Sequence, residues 1–350
     1  MKRWRGVGMP RQNQGGIPYS IEIVTTGLQV PWALDFTPDG RIFLTERPGR
    51  VRRVAQGRLL PDPLITFSPP FINVGEGGLL GIAVDPEFSK NHFFYVYLTY
   101  EARGQIRNRI VRLVENNQAA RIDRVLLDAI PGSRIHDGGR LKFGPDGLLY
   151  ATTGDVGISS SAQNRRLLSG KILRIQRNGA IPRRNPFRGS PVFSLGHRNP
   201  EGLAWDPRTR ILYSSEHGDS GHDEINLIQA GDNYGWPIIE GDEQQGALVR
   251  PLIQSGNRTW APSGMTFVTR GPWRNQLLVA NLRGSQILRF SIEEGRPRSI
   301  RLLSSFFGSR GRIRDIIEGP DGSLFVLTSN RDGRGRVRPG DDHLFRLRPI

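Results

Sequence analysis

The chain has 350 residues, 37% of them hydrophobic, enough to bury a large core in one domain or two, and its 43 glycines and 25 prolines mark it as rich in turns rather than fibrous. With no cysteine it has no disulfide, no thiolate metal site and no cysteine nucleophile. The net charge is +16, but 45 of the 49 basic residues are arginine spread along the whole chain, which reads as a dispersed basic surface and argues against nucleic acid or an anionic membrane as partner.

In chain order, Met1 to Gly16 carries Lys2, Arg3, Arg5 and Arg11 without an apolar stretch, so a signal peptide is either absent or already removed. Residues 1–18 read as an N-terminal extension, disordered or the remnant of a processed region, ahead of a single domain over 19–350. Apolar runs such as Gly78 to Val84 and Leu277 to Ala280 are far shorter than the roughly 20 residues a membrane span needs.

From Trp32 onward one theme recurs six times: a short apolar strand, a turn built on Asp-Pro, Pro-Asp-Gly or a similar breaker, then a second β-rich strand. The first copy is Trp32 to Gly40 followed by Ile42 to Thr45, the second Leu80 to Pro86 followed by Phe93 to Tyr97, and the third Gly139 to Gly147 followed by Leu148 to Thr152. The fourth is Gly202 to Pro207 with Ile211 to Ser215, the fifth Ser263 to Phe267 with Gln276 to Ala280, and the last Arg314 to Gly322 with Leu324 to Thr328. Proline presets φ at the first turn position and glycine accepts the positive φ that follows, so each copy reads as a hairpin. The turn prolines Pro38, Pro86, Pro145 and Pro207 lie roughly 45 to 62 residues apart, the length of a four-stranded blade. The pattern predicts an all-β, six-bladed β-propeller with four-stranded antiparallel blades, in which loops at one end of the blades converge on a central channel.

Four loops carry polar residues out of keeping with a β-core: Gly75 to Gly78 with Glu76, Ile135 to Gly139 with His136, Gly196 to Pro200 with His197 and Arg198, and Glu216 to Glu224 with His217, Asp219 and His222. Asp155 closes the strand that follows His136. These residue types suit a base near neutral pKa, an anion-binding arginine and an oxygen-rich calcium site. Each also has a plainer reading. A turn histidine is often only a hydrogen-bonding group, the acidic run Asp219 to Glu224 reads equally as a solvated loop, His197 and His222 read as structural, and Arg198 could pair with Glu201 or Asp206. Asp39, Asp146 and Asp321 belong to the repeated turn and read as structural. No dinucleotide fingerprint, P-loop or nucleophile elbow is present.

The strings His136 to Gly147, Gly154-Asp155, Leu195 to Leu203, Asp223 to Asn226 followed by Asn233 to Pro237, and Arg312 to Asp315 resemble the soluble glucose and aldose sugar dehydrogenases, the glucose/sorbosone dehydrogenase family. The resemblance runs from about residue 20 to the end. It implies an enzyme that uses pyrroloquinoline quinone (PQQ) and calcium to oxidise the C1 hydroxyl of aldoses to the lactone and passes electrons to an external acceptor. By the same resemblance His136 is the general base, Asp155 the residue that orients it, and Arg198 the stabiliser of negative charge on the quinone. Asn199, Asp223, Arg283, Arg312 and Arg314 match cofactor contacts, with Glu76 and His217 where glucose-specific members carry glutamine. The backbone carbonyls of Gly218 and Asp219 would hold the active calcium, and Glu224 with the Tyr234 carbonyl a structural one. Ser329, where glucose-specific members have aspartate, and the short loops point to the aldose branch, while Glu240 to Trp260 aligns poorly. The resemblance further implies a periplasmic or secreted protein, monomeric or homodimeric. The rival readings are a calcium-dependent lactonase on the same fold, which would need several metal-binding carboxylates and no cationic cradle, and a binding scaffold that has lost its chemistry.

Overall fold

The computed structural model describes residues 8–12, 18–116 and 118–349. Six antiparallel sheets follow one another along the chain, and every predicted hairpin is present. Blade I begins with Pro31–Phe36 and Ile42–Glu46, blade II with Leu79–Val84 and Phe93–Ala102, and blade III with Leu141–Phe143 and Leu149–Thr153. Asn199–Trp205 and Leu212–His217 open blade IV, Pro262–Phe267 and Gln276–Asn281 blade V, and Ile313–Glu318 and Leu324–Thr328 blade VI. Two further strands complete blades II to V outward and three complete blades I and VI, so the architecture is the expected six-bladed propeller.

The turn chemistry works as anticipated. Gly40, Gly147 and Gly322 adopt φ of 84°, 74° and 79°, and the aspartates before them are spent locally. Asp146 Oδ1 accepts the Leu148 amide at 3.1 Å and Asp321 Oδ1 the Ser323 amide at 3.0 Å, which makes these carboxylates structural.

The ring is closed by a strand that the repeat does not announce. Tyr19–Thr25 pairs with Leu344–Pro349 in blade VI, so the two ends of the domain are joined in one sheet. Tyr19 is fully buried against Trp273 and Phe306, and its hydroxyl accepts the Phe307 amide at 3.2 Å. Of the expected extension over 1–18, Gly8–Gln12 adds a further edge strand to Tyr19–Thr25, and the remainder lies outside the described residues apart from Pro18. Among the described residues no helix is long and apolar enough to cross a membrane.

Inner strands pack blade against blade around the axis, where Leu34, Ile82, Leu141, Leu203, Met265 and Ile316 meet. The blade faces carry the bulk of the core, as separate clusters of buried Leu, Ile, Val and aromatic side chains. Loops entering the inner strands, and those leaving the second strands, emerge at the same end of the ring. That end carries the candidate site.

Candidate active site

The loop that delivers His136 joins Ala120–Pro131 of blade II to the inner strand of blade III. His136 itself has φ 57°, a left-handed conformation that costs an L-residue about 1 kcal/mol or more and has to be held from outside. Glu76 does the holding, because its Oε2 accepts the His136 amide at 2.7 Å. Two glycines make the close approach possible. A Cβ on Gly154 would lie 1.9 Å from the His136 carbonyl oxygen, and one on Gly138 would lie 2.7 Å from Thr153 Cα. The Asp-Gly-Gly and Gly-Asp strings therefore let the histidine loop lie flat against the end of the next strand, which brings Asp155 to His136.

The His136 Nδ1 to Asp155 Oδ1 distance is 2.7 Å. Asp155 is buried, with Oδ1 also accepting the Gly157 amide at 2.9 Å and Oδ2 accepting the Trp236 indole N–H at 2.8 Å. Burial alone would raise its pKa, but the bonds from His136, Gly157 and Trp236 outweigh it and hold the carboxyl below its ordinary value. An ionised Asp155 keeps the His136 proton on Nδ1 and leaves Nε2 as the basic nitrogen. Arg198 stands next to this pair. Its guanidinium lies 5.4 Å from the Trp236 ring centroid and 3.1 Å from Asp219, so neither Glu201 nor Asp206 is its partner. Asp206 pairs with Arg208 instead.

A cavity of about 210 Å³ opens beside the dyad, over the axis. Five arginines line it, Arg47, Arg134, Arg312, Arg314 and Arg334, together with His217, Glu76, Asp137, Glu201 and Asp332. Trp32 forms part of the wall, with the guanidinium of Arg314 5.5 Å from its ring centroid and that of Arg140, packed behind it, 4.4 Å. Several arginines are already paired. Arg314 Nη1 is 2.6 Å from Glu201 Oε2, Arg312 Nε 2.6 Å from Asp332 Oδ2, and Arg334 Nη1 2.7 Å from Glu76 Oε1. Buried donors are left over, since Nε of Arg47 and Nε of Arg314 have no hydrogen-bond partner, and the Nε2 nitrogen of His217 has none either. A wall with uncommitted buried donors suits a ligand rich in carboxylate and carbonyl oxygens.

Of the residues singled out from sequence, Glu76, His217, Arg312 and Arg314 line this cavity, and His136, Asp155 and Arg198 form one group at its edge. Asn199 is buried one step back, where its Oδ1 accepts the Gly138 amide at 3.0 Å and steadies the histidine loop. Asp223 ties its loop to the segment entering blade V, its oxygens taken by the amides of Gly218, Trp260 and Ala261. Arg283 is exposed, next to the lining residue Leu282. His197 is structural as expected, bonded to Glu216 and Ser194 and stacked on Tyr234. His222 bonds Gln254. In the expected metal loop Glu224 is pushed up to about 8, first by burial and then by Glu216, with Glu240 adding to it. No three His, Asp or Glu side chains converge as metal ligands among the described residues.

Sequence reading passed over Arg47, Arg134, Arg334, Asp137 and Asp332. Asp137 is buried, its Oδ2 lacks a partner, and burial pushes its carboxyl up to about 7 against the pull of Asn108 and the Ser133 amide. A signal for Arg47 did exist: it follows the second strand of blade I as Asp155 and Arg283 follow those of blades III and V.

The sequence profile of the Glucose / Sorbosone dehydrogenase family matches residues 28–338. The chain belongs to that family. The aldose sugar dehydrogenase YliI of Escherichia coli is 31% identical, over 90% of this chain and 91% of its own length. Among solved structures, the PQQ-bound aldose sugar dehydrogenase of Streptomyces coelicolor superposes with a TM-score of 0.84 at 36% identity, covering 95% of this chain and 98% of its own. An oxidoreductase of Thermus thermophilus described as a glucose dehydrogenase gives a TM-score of 0.87 at 45% identity, over 94% of this chain and all of its own. As a glucose/sorbosone dehydrogenase family member the chain thus carries the dyad and the arginine-lined cavity on a fold shared along nearly its whole length.

Proposed function

We propose that this protein is a PQQ- and calcium-dependent dehydrogenase that oxidises the C1 hydroxyl of aldose sugars to the lactone and yields its electrons to an external acceptor. The observation that carries the reading is the His136–Asp155 pair at the edge of a cavity lined by five arginines. The donor set fits the cofactor, because a tricarboxylated quinone matches the uncommitted Nε groups of Arg47 and Arg314 and Nε2 of His217. Arg312, Arg314 and Arg47 would hold its carboxylates, with His217 beside them. The carbonyls of Gly218 and Asp219 would hold the active calcium, and the crowding of Glu224 by Glu216 and Glu240 favours a second cation at Glu224 and the Tyr234 carbonyl. Bound there, the quinone supplies the acceptor for the hydride from C1, and calcium the Lewis acid that polarises it.

The chain's own residues account for the proton and the charge. His136 Nε2 takes the proton from the C1 hydroxyl as the C1 carbonyl forms. Asp155 fixes the ring orientation and steadies the imidazolium that results. Arg198 would neutralise negative charge that develops beside the dyad, and its ion-pair partner Asp219 is exposed. As the family resemblance implies, the protein would work in the periplasm or outside the cell.

The deciding experiment is an absorbance titration of the protein with PQQ with and without calcium, followed by dye-linked oxidation of a panel of aldoses. Saturable binding, a raised unfolding temperature and activity on several sugars are expected, since both ligands bind only the folded channel mouth. Absence of binding at saturating calcium would remove the cofactor assignment, and lactone hydrolysis without quinone would favour the lactonase reading. Arg312→Ala is expected to weaken quinone affinity by about tenfold or more through loss of a charge-assisted contact, with most activity restored at higher quinone concentration. Unchanged affinity would show that Asp332 already occupies this guanidinium fully.

A further inference from the structure

Trp236 belongs to the Asn233 to Pro237 string, in which the proposed chemistry gives a role to the Tyr234 carbonyl and none to the indole. Its indole Nε1–H donates to Asp155 Oδ2, the oxygen His136 leaves free, and its ring face lies under the Arg198 guanidinium. The residue is pinned on both sides of its backbone. Its amide donates to the Gly196 carbonyl at 3.0 Å, and its carbonyl accepts Gln163 Nε2 at 2.6 Å. Gln163 is itself tied to the Asn233 side chain at 2.7 Å. Among aromatic side chains only tryptophan offers an N–H donor at the edge of so broad a π face.

We propose that Trp236 is a positioning residue of the reaction, one rigid side chain that holds Asp155 through its N–H and seats Arg198 on its face. It thereby fixes the base and the charge-stabilising guanidinium relative to each other. The inference rests on the reading of His136 as base with Asp155 as its orienting partner. The two groups it links come from different blades, Asp155 from the loop that follows the second strand of blade III and Arg198 from the turn before blade IV. The Asp155 amide already donates to the Arg198 carbonyl at 2.7 Å, which sets their backbones but not their side chains. Trp236 supplies the missing side-chain link.

A chemical consequence follows from sharing one carboxylate between donors. Removing the indole N–H leaves more of the Asp155 charge to His136, so the imidazolium gains stability and His136 should titrate higher. The charged groups facing His136 are Asp155, Glu76 at its amide with Arg334 behind it, and Asp137 next in the chain.

The test compares Trp236→Phe, which keeps a ring face but loses the donor, with Trp236→Leu, which loses both. In Trp236→Phe the His136 imidazole, assigned by NMR against His136→Ala, is expected to titrate at higher pH than in the unmutated protein, because Asp155 is then shared with one donor fewer. The acid limb of kcat in the quinone- and calcium-loaded enzyme should move with it, while the quinone titration stays as in the unmutated protein. Trp236→Leu should lower the kcat plateau by about a further tenfold, because Arg198 loses its seat. In an Asp155→Asn background the Trp236→Phe shift should vanish. A readout without any variant is the Trp236 indole proton, whose resonance should follow the His136 titration. The proposal is overturned if His136 titrates identically in Trp236→Phe, if the shift survives in Asp155→Asn, or if the indole proton ignores the titration. A protein that oxidises no sugar when loaded would refute the proposed function, and the NMR arm would still decide whether Trp236 governs the dyad.

Discussion

His136→Ala is expected to lower sugar oxidation at saturating quinone by about 10²–10⁴-fold, the usual effect of losing a positioned proton acceptor, while quinone affinity stays nearly unchanged. The geometry separates the two quantities. His136 is not among the residues that line the arginine cavity, whereas Arg47, Arg312 and Arg314 are. The substitution should also leave the loop intact, because the backbone at φ 57° is held through its amide by Glu76 and costs alanine about what it costs histidine. Asp155 keeps its bonds from Gly157 and Trp236. Absorbance titration and dye-linked turnover on one preparation check both halves, and added imidazole should restore part of the rate. Turnover near that of the unmutated enzyme would reduce His136 to a turn residue.

Arg314→Ala should produce the largest loss of stability of any single change at the cavity, about 3–5 kcal/mol at neutral pH in the unliganded protein. Its partner Glu201 is buried, and Arg314 Nη1 reaches it at 2.6 Å. Burial by itself would push the Glu201 carboxyl up, but Arg314, His217 and Arg140 together hold it below its ordinary value. Removing Arg314 strands a buried negative charge next to a histidine and the more distant Arg140. The pH dependence has a definite sign. A carboxylate whose folded pKa is depressed adds stability that is present above its unfolded pKa and is lost as pH falls through the folded value. The variant loses that contribution and burial then pushes its stranded carboxyl up, so its deficit should be largest at high pH, should begin to shrink as pH falls through the raised value of Glu201 in the variant, and should keep shrinking down to the depressed value of the unmutated protein. Unfolding free energies from pH 4 to 8 for both proteins test this. A deficit that does not change with pH would mean that packing on Trp32, 5.5 Å away, rather than charge, is what Arg314 supplies.

Much of this molecule is legible in the chain alone. Five of the six hairpins lie where Asp-Pro and Pro-Asp-Gly turns put them and the fifth turns at Gly271-Pro272, because φ preferences and Asx bonding act within a few residues, as at Asp146 and Asp321. The nearness of His136 to Asp155 was legible only through the family strings. The structural cause, a glycine at 154 that lets the His136 carbonyl come close, is a steric fact no local pattern displays.

What the sequence by itself determined is therefore the blade repeat, the turns and which loops carry titratable side chains. The tertiary structure decided who pairs with whom. It gave Arg198 to Asp219, bound Asp223 to the segment entering blade V, left Arg283 exposed, and set Asp332, Glu201 and Glu76 against the arginines of the cavity. It also chose Tyr19–Thr25 to close the ring with Leu344–Pro349. The reason is one of range. Turn and strand preferences are settled among neighbours in the chain, whereas partners such as Glu201 and Arg314 lie 113 residues apart and meet only because six blades bend into a circle and bring their loop ends to one axis.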